Sequence, residues 1–168
     1  MTNPRFVVRL ERRQDIPALK TLAAASFGPG SFARTAHRVR EAANTVEPLS
    51  LTAWAEDTLI GSIRFTALTI GGRPGALLLG PLMVDAGWAG KGCGKALMTR
   101  GHELARNAAY ELVLLVGDLP YYERAGFQPV PPGQITMPGP VDFGRLLAVE
   151  LTPDALNDFK GLMRAVEV

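Results

Sequence analysis

An alternating run of glycines between an apolar segment and an amphipathic helix constrains this chain more than any other feature. Residues 77–84 are almost entirely apolar and predict a strand, whereas residues 97–108 have helical periodicity. Between them, Gly90, Gly92 and Gly94 allow positive φ and leave backbone N–H groups open to an anion. A strand, a glycine loop and a helix N-terminus together predict a phosphate-binding site.

The spacing of these glycines differs from two common nucleotide-binding motifs. A dinucleotide fingerprint requires G-x-G-x-x-G, and a Walker loop requires G-x-x-x-x-G-K followed by Ser or Thr. Here the glycines alternate and Ala96 follows Lys95, so neither motif is present. Lys91 and Lys95 add positive charge to the loop, which favours a phosphate-bearing ligand of another kind.

Two segments after the loop make the pattern more specific. Residues 111–117 form a second apolar run that predicts a buried parallel strand, and residues 121–127 read YYERAGF. This order of strand, glycine loop, helix, strand and Y-x-x-x-G-F resembles the GNAT (GCN5-related N-acetyltransferase) superfamily, in particular its small stand-alone bacterial members. The resemblance is carried by residues 80–127, and by the order of elements from residue 6 to residue 84.

The resemblance implies an α/β (α+β) fold in a single domain of residues 1–168, a length that suits one domain. The implied GNAT fold has a mixed, mostly antiparallel sheet of about seven strands with helices on both faces. Its fourth strand splays from its fifth. Gly80-Pro81 interrupts the fourth predicted strand, and proline lacks the N–H that a central ladder position would donate, so a bulge or an opened ladder is expected there.

Hydrophobic periodicity and turn residues predict the remaining elements. Strands are expected at residues 6–10, 49–55, 58–70, 76–84, 111–116 and 146–151, with another beginning at Phe127. Asp15 is expected to cap a first helix and Ser31 a second, which runs to about residue 45. A third helix is expected from near Gly92, and a short one from Pro120 to Arg124. Residues 130–140 predict a loop, and residues 153–163 a modest helix or tail.

The resemblance further implies that acetyl coenzyme A is the cosubstrate and that the glycine loop wraps its pyrophosphate. The family motif Q/R-x-x-G-x-G/A aligns with residues 89–94 but has Ala89 at its polar first position, so the lysines and the backbone would bind more of the phosphate. The splayed strand would pair with the pantetheine amides like a missing strand. Asp118 stands where relatives often have an asparagine that faces the cofactor. The predicted cofactor-binding residues are Leu82, Met83, Val84, Ala89, Gly90, Lys91, Gly92, Cys93, Gly94, Lys95 and Asp118.

Acetyl transfer from a thioester requires a neutral amine, stabilisation of the oxyanion and a proton for the thiolate. Tyr122 is the predicted acid because it matches the tyrosine of Y-x-x-x-G-F, and a phenol with a pKa of ~10 is protonated at neutral pH. The alternative is a core tyrosine that anchors the short helix, while Tyr121 is expected to pack or to contact the cofactor. A backbone N–H near Met83 or Val84 is predicted to stabilise the oxyanion. No base is assigned, because residues 77–84 contain no carboxylate.

Other reactive side chains are expected to be structural. Cys93 lies inside the phosphate loop without a His/Asp pair, which favours a small buried residue over an acyl-cysteine route. His102 is expected to be structural or at the surface. No cluster has metal-ligand spacing, so no metal is expected. One face of the predicted second helix is either a solvated charged surface or a surface that recognises an anionic group on the acceptor. This face comprises Arg34, His37, Arg38 and Glu41.

The predicted function is therefore transfer of acetyl from acetyl-CoA to a primary amine of a small molecule or peptide, by direct attack in a ternary complex. Two alternatives stay open: a non-catalytic coenzyme A binding or sensing module, and a toxin-like acetyltransferase of aminoacyl-tRNA. The formal charge is +2 and the basic residues are scattered, so a nucleic-acid partner is not expected. A single cysteine and the lack of a membrane-length apolar run predict a cytoplasmic protein without a membrane partner. A homodimer is compatible with all of this.

Overall fold

A computed structural model describes residues 5–26, 47–139 and 143–166. The predicted helix at residues 31–45 and its charged face lie outside these residues. The described strands are β1 (Val7–Leu10), β2 (Leu51–Ala55), β3 (Thr58–Ile70), β4 (Arg73–Val84), β5 (Leu112–Val116), β6 (Gln128–Pro129), β7 (Ile135–Thr136), β8 (Leu146–Glu150) and β9 (Gly161–Ala165). The α-helices are α1 (Ile16–Ser26), α2 (Cys93–Asn107) and α3 (Leu119–Tyr122).

The strands form one mixed sheet in the order β1-β2-β3-β4-β5-β8-β6. Strands β1 to β4 are an antiparallel meander, β4 and β5 are parallel, and β8 is antiparallel to both β5 and β6. The parallel pair is joined through α2, as a β-α-β unit requires. The mixed, mostly antiparallel sheet predicted from the sequence is confirmed.

Helices cover both faces of this sheet. Successive side chains of β4 point to opposite faces, so they pack against different helices. Met83 packs with Leu19 and Leu22 of α1. Its neighbours Leu82 and Val84 instead belong to the apolar cluster that contains the buried side of α2. The end of β4 is therefore held between the two helices.

Strand β4 separates from β5 partway along its length. The parallel ladder contains only the residue pairs Ala76–Leu112, Leu77–Val113 and Leu78–Leu114. Beyond it, the peptide bond between Gly80 and Pro81 is cis, and the pairing of β4 with β3 shifts register at this point. The predicted interruption at Gly80-Pro81 and the splaying of the fourth and fifth strands are confirmed.

The prediction for residues 153–163 is wrong, and the predicted loop at residues 130–140 contains one short strand. Residues 153–163 do not form a helix or tail: a short 3₁₀ turn, Ala155–Asp158, precedes strand β9. Strand β9 pairs antiparallel with β3 and parallel with β7, which itself lies within the predicted loop at residues 130–140. Such short strands depend on partners distant in sequence, so local periodicity does not reveal them.

The side chain of Asp15 does not cap α1 as predicted. Its carboxylate accepts two hydrogen bonds from the guanidinium of Arg9, each 2.9 Å long, and a third from the backbone N–H of Arg12. The hydrogen bond from Arg9 is the main reason why the pKa of Asp15 is lowered. Asp15 thus ties the end of β1 to the start of α1, which begins at the next residue, Ile16.

Candidate active site

The glycine loop leads from β4 into α2. A 3₁₀ turn, Ala86–Trp88, opens the loop, and the carboxylate of Asp85 accepts a hydrogen bond from the N–H of Gly87 at 3.0 Å. Gly90 and Gly92 have φ angles of 75° and 87°, and a Cβ at either position would have no neighbouring atom within 4 Å. The positive φ predicted for these two glycines is confirmed, and both face open space.

Helix α2 begins at Cys93 with Gly92 as its N-cap residue. The first intrahelical hydrogen bond runs from the N–H of Ala96 to the carbonyl of Gly92, at 3.0 Å. Four N–H groups therefore lack an intrahelical acceptor, those of Gly92, Cys93, Gly94 and Lys95. With the positive end of the helix dipole, these groups fit an anionic ligand.

Gly94 has a different role from the one that the alternating pattern suggests. It lies in the first turn of α2 and does not have a positive φ. A Cβ at this position would lie 2.6 Å from the hydroxyl oxygen of Tyr121, and its next neighbours would be Val84 and Leu82. Glycine is needed here because α2, β4 and α3 come together at its Cα.

The basic residues of the loop are exposed. The ammonium of Lys91 lies 5.2 Å from the centre of the Trp88 ring, within the range of a cation–π contact. Trp88 in turn packs edge-on against Phe6, with ring centres 6.1 Å apart. Lys91 is thus held at the loop, while Lys95 is exposed on the first turn of α2 and Ala89 adds no polar group.

Cys93 is a buried packing residue, as predicted. Its sulfur faces β3, where a Cβ on Gly61 would approach it to 2.8 Å. Burial raises the pKa of the Cys93 thiol to about 11, so the thiol is protonated at neutral pH and is a poor nucleophile. Only its backbone N–H is available to a ligand at the loop.

Beyond Leu78, the edge of β4 that would face β5 has no strand partner in the described part of the chain. This free edge includes the backbone of Leu82, Met83 and Val84, the segment predicted to pair with pantetheine. Their side chains are anchored in the two clusters on either face of the sheet. The free backbone edge therefore has a fixed position beside the first turn of α2.

Tyr122 lies at the other side of the gap, at the end of β5. Its ring lies so close to Gly117 that a Cβ there would be 2.6 Å from the ring carbon Cε2. The ring is half-buried and packs edge-on against Phe127 and Tyr121, with ring centres 5.7 and 4.9 Å away. Helix α3 therefore places adjacent tyrosines toward different walls of the gap, Tyr121 toward α2 and β4 and Tyr122 toward β5.

Asp118 follows Gly117 at the same end of β5. Its carboxylate lies 3.5 Å from Nη1 of Arg145, and 74% of its side chain is exposed. The N–H of Gly117 donates to the carbonyl of Arg145, which fixes this corner between β5 and β8. The predicted cofactor-facing residue thus lies at the rim of the gap, partly neutralised by an arginine.

His102 is buried, and the structure excludes the surface position that the sequence left open for it. Its ring lies between Phe65 and Phe127, with ring centres 6.4 and 5.7 Å away. Nε2 of His102 has no hydrogen-bond partner in the described structure. Burial lowers the pKa of His102 to about 4, with a smaller effect of the positive charge of Arg106. His102 therefore belongs to an aromatic row: Phe65, His102, Phe127, Tyr122 and Tyr121.

No carboxylate lies on β4, which reads RPGALLLGPLMV. A cavity of about 350 Å³ lies elsewhere, near the C-terminal end of α2, and is lined by Arg106, Tyr110, Glu111 and Thr152 among others. It is separated from the glycine loop by the length of the helix. Among the described residues, no group of three His, Cys, Asp or Glu side chains could hold a metal ion, and no helix is long and apolar enough to span a membrane.

Comparisons with known proteins agree with this geometry. The sequence model of the acetyltransferase (GNAT) domain matches residues 49–129. The uncharacterized N-acetyltransferase YjhQ of Escherichia coli K12 is 30% identical over 132 residues, which are 77% of this chain and 73% of YjhQ. The uncharacterized N-acetyltransferase YhbS of the same strain is 27% identical over 160 residues, which are 94% of this chain and 95% of YhbS. The chain belongs to the GNAT family of acetyl-CoA-dependent N-acetyltransferases.

Solved structures of relatives show the same fold. The crystal structure of YhbS from Escherichia coli in complex with CoA has a TM-score of 0.84 and 26% identity, covering 99% of this chain and 92% of YhbS. A GNAT family acetyltransferase from Brucella melitensis in complex with acetyl-CoA has a TM-score of 0.71 and 26% identity, covering 96% of each chain. The fold expected from the glycine loop and the Y-x-x-x-G-F segment is confirmed.

Proposed function

We propose that this chain transfers the acetyl group of acetyl-CoA to a primary amine by direct attack in a ternary complex. One observation carries the proposal: side chains from the end of β4 and from α3 lie within about 4 Å of the Cβ position of Gly94, in the first turn of α2. The first turn of α2 offers N–H groups for phosphate, β4 offers a free strand edge for amides, and α3 carries a phenol for the thiolate; coenzyme A needs these three kinds of group. The relatives crystallised with CoA or acetyl-CoA support this ligand.

The cofactor residues divide by chemistry. The backbone N–H groups of residues 92–95 bind the pyrophosphate, helped by the ammonium groups of Lys91 and Lys95, and Gly90 lets the loop backbone approach it. The free edge at Leu82, Met83 and Val84 pairs with the pantetheine amides. Ala89 and Cys93 contribute backbone only, and Asp118 faces the arm from the rim of β5. Acetyl-CoA supplies the acyl group in activated form, as a thioester.

The chain itself positions the partners and moves one proton. When the amine adds to the thioester carbonyl, a backbone N–H near Met83 or Val84 stabilises the negative oxygen. When the carbon–sulfur bond breaks, Tyr122 donates its phenolic proton to the leaving thiolate. The amine must lose a proton as well, and an ordered water or an amine that arrives neutral serves here, since β4 supplies no carboxylate.

A rate assay with a panel of amines tests this function. Thiol release from acetyl-CoA is measured with small amines, amino acids, peptides and aminoacyl-tRNA, and the amine that raises the rate is the acceptor. We expect Tyr122→Phe to lower kcat by about 10²- to 10⁴-fold, the range for a general acid. Its affinity for coenzyme A, measured by calorimetry, should stay within about twofold, since a hydroxyl that acts on the leaving thiolate adds little to ground-state binding.

Tyr110→Phe is the matched control, because Tyr110 lies at the far end of α2 and lines the other cavity. Binding of coenzyme A without thiol release for any amine would instead favour a coenzyme A sensing module, in line with the missing strand carboxylate. A Tyr122→Phe variant with the wild-type kcat would contradict the acid role and leave Tyr122 as an anchor of α3.

A further inference from the structure

Tyr121 is placed unlike an ordinary packing residue. It is one of the exposed large side chains, with 52% of its surface accessible. The atom that comes nearest to Gly94 is nevertheless its hydroxyl oxygen, at 2.6 Å from the position of a Cβ. The hydroxyl end of the side chain thus reaches the place where α2, β4 and α3 come together at Gly94, while much of the residue is exposed to solvent. A tyrosine that merely filled space would bury its ring instead.

The Cβ position of Gly94, which this hydroxyl approaches, lies between a helix end and an apolar strand end. The next neighbours of the Gly94 Cβ position are the methyl groups of Val84 and Leu82, at 3.6 and 3.9 Å. Neither offers a hydrogen-bond partner to the phenol. On the helix side, the N–H groups of the first turn of α2 have no intrahelical acceptor, which suits them to an anion. An anionic oxygen bound there is the natural acceptor for the hydroxyl.

We propose that Tyr121 is a cofactor-binding residue whose hydroxyl donates a hydrogen bond to a phosphate oxygen of coenzyme A at the first turn of α2. This inference rests on the proposed function, which places coenzyme A in the gap. It adds a side-chain donor where the loop has Ala89 in place of the polar residue of the family motif. It also separates the two adjacent tyrosines, since Tyr121 binds the cofactor and Tyr122 protonates the thiolate.

The position of Gly94 follows from this arrangement. Any side chain at residue 94 would displace the phenol from the helix end, because a Cβ and the hydroxyl oxygen would be 2.6 Å apart. Gly94 therefore keeps the phenol within reach of the ligand. Gly94 leaves room for the hydroxyl of Tyr121, whereas Gly90 and Gly92 allow the positive φ angles of the loop backbone.

Calorimetric titration of coenzyme A into four proteins tests the proposal: the wild type, Tyr121→Phe, Tyr121→Ala and Tyr110→Phe. We expect Tyr121→Phe to raise the Kd by about ten- to a hundredfold, the range of a hydrogen bond to a charged group. Tyr121→Ala should raise it at least as much, and Tyr110→Phe should match the wild type. In the transfer assay, Tyr121→Phe should raise the KM for acetyl-CoA by a larger factor than it lowers kcat.

Other outcomes would overturn the proposal. An unchanged Kd for Tyr121→Phe would make the phenol a packing group. A lower Kd for Tyr121→Ala would show that the side chain blocks the gap. A lowered kcat with an unchanged Kd would make Tyr121 the acid. If the wild type itself fails to bind coenzyme A, the proposed function fails first, so the two failures are distinguishable. Circular dichroism of each variant confirms that it is folded.

Discussion

At the scale of single residues, glycine makes room for aromatic side chains at three places. A Cβ would lie 2.6 Å from the Tyr121 hydroxyl at Gly94, 2.7 Å from the Phe65 ring at Gly101, and 2.6 Å from the Tyr122 ring at Gly117. Two of these glycines lie seven residues apart on α2, where alanine would otherwise be the better helix former. Close packing of rings around the site thus has priority over helix propensity.

Alanine at the two glycines of α2 should have different consequences. Phe65 is fully buried and cannot move away, so we expect Gly101→Ala to lower the free energy of unfolding by about 1–3 kcal/mol, the usual cost of overpacking. Tyr121 is exposed and its hydroxyl end can move, so Gly94→Ala should cost less stability but weaken coenzyme A binding. Urea denaturation and calorimetry measure the two effects, and equal losses of stability would contradict this account.

The loop glycines test the phosphate site itself. Gly92 needs its φ of 87° and faces open space, so Gly92→Asp combines backbone strain with a carboxylate at the anion position. We expect at least a hundredfold loss of coenzyme A affinity by calorimetry, with the fold retained by circular dichroism. Gly72→Asp is a matched control, because Gly72 has a φ of 84° and open surroundings but lies in the turn between β3 and β4. Unchanged affinity in Gly92→Asp would refute the loop assignment.

At the scale of elements, α2 carries a buried histidine, and this makes stability depend on pH below neutrality. The pKa of His102 falls from its ordinary value of 6.5 to about 4 in the folded protein. Below pH 6.5 the unfolded chain therefore binds a proton that the folded chain does not, and stability is lost as pH falls from 6.5 toward 4. Asp15, whose pKa is lowered from 3.8, contributes little above pH 5, because its carboxylate is ionised there in both the folded and the unfolded chain.

Urea denaturation at pH 7.5 and pH 5.0 measures this effect. We expect the free energy of unfolding to fall by about 2 kcal/mol at the lower pH, from 1.36 kcal/mol for each pH unit below 6.5. His102→Phe keeps a ring between Phe65 and Phe127 and should remove most of the difference. A variant with the same pH dependence as the wild type would show that His102 is not its source.

The sequence predicted those elements whose signals are local. The strand-forming residues of β2 and β3, the apolar run of β5 and the glycine at the start of α2 are each recognised within a few residues. The buried position of His102 and the pairing of β9 with β3 depend on partners far along the chain, such as Phe65 for His102. The contact between Tyr121 and Gly94 is of the same kind, so the sequence left open whether Tyr121 packs or contacts the cofactor.

At the scale of the whole molecule, the backbone ladder that joins β1–β4 to the other half of the sheet, β5, β8 and β6, lies at one end of the sheet. The ladder between β4 and β5 spans residues 76–78, and β9 pairs with β3 at residues 68–70. Leu68 pairs directly with Ala76, so both ladders lie at the same end of the sheet. The opposite end is where the glycine loop and α3 face each other.

Hydrogen exchange should show this asymmetry. We expect amides of residues 117–122 and those on the free edge of residues 80–84 to exchange faster than amides of residues 68–70 and 76–78, because fewer backbone hydrogen bonds protect them. Saturating coenzyme A should slow exchange in the first group and leave the second group unchanged. Mass spectrometry of peptides from these segments measures both, and uniform protection by coenzyme A across all segments would contradict the account.

Because these backbone ladders lie at one end of the sheet, the molecule has one closed end and one open end. The closed end is where β9 pairs with β3, and the open end lies between the free edge of β4 and the start of α3. A long, thin ligand that enters the open end contacts both halves of the sheet without disturbing the pairing at the closed end. The two halves are then held together by contacts with the ligand as well as by contacts within the protein. The affinity for coenzyme A and the rigidity of the sheet therefore increase together.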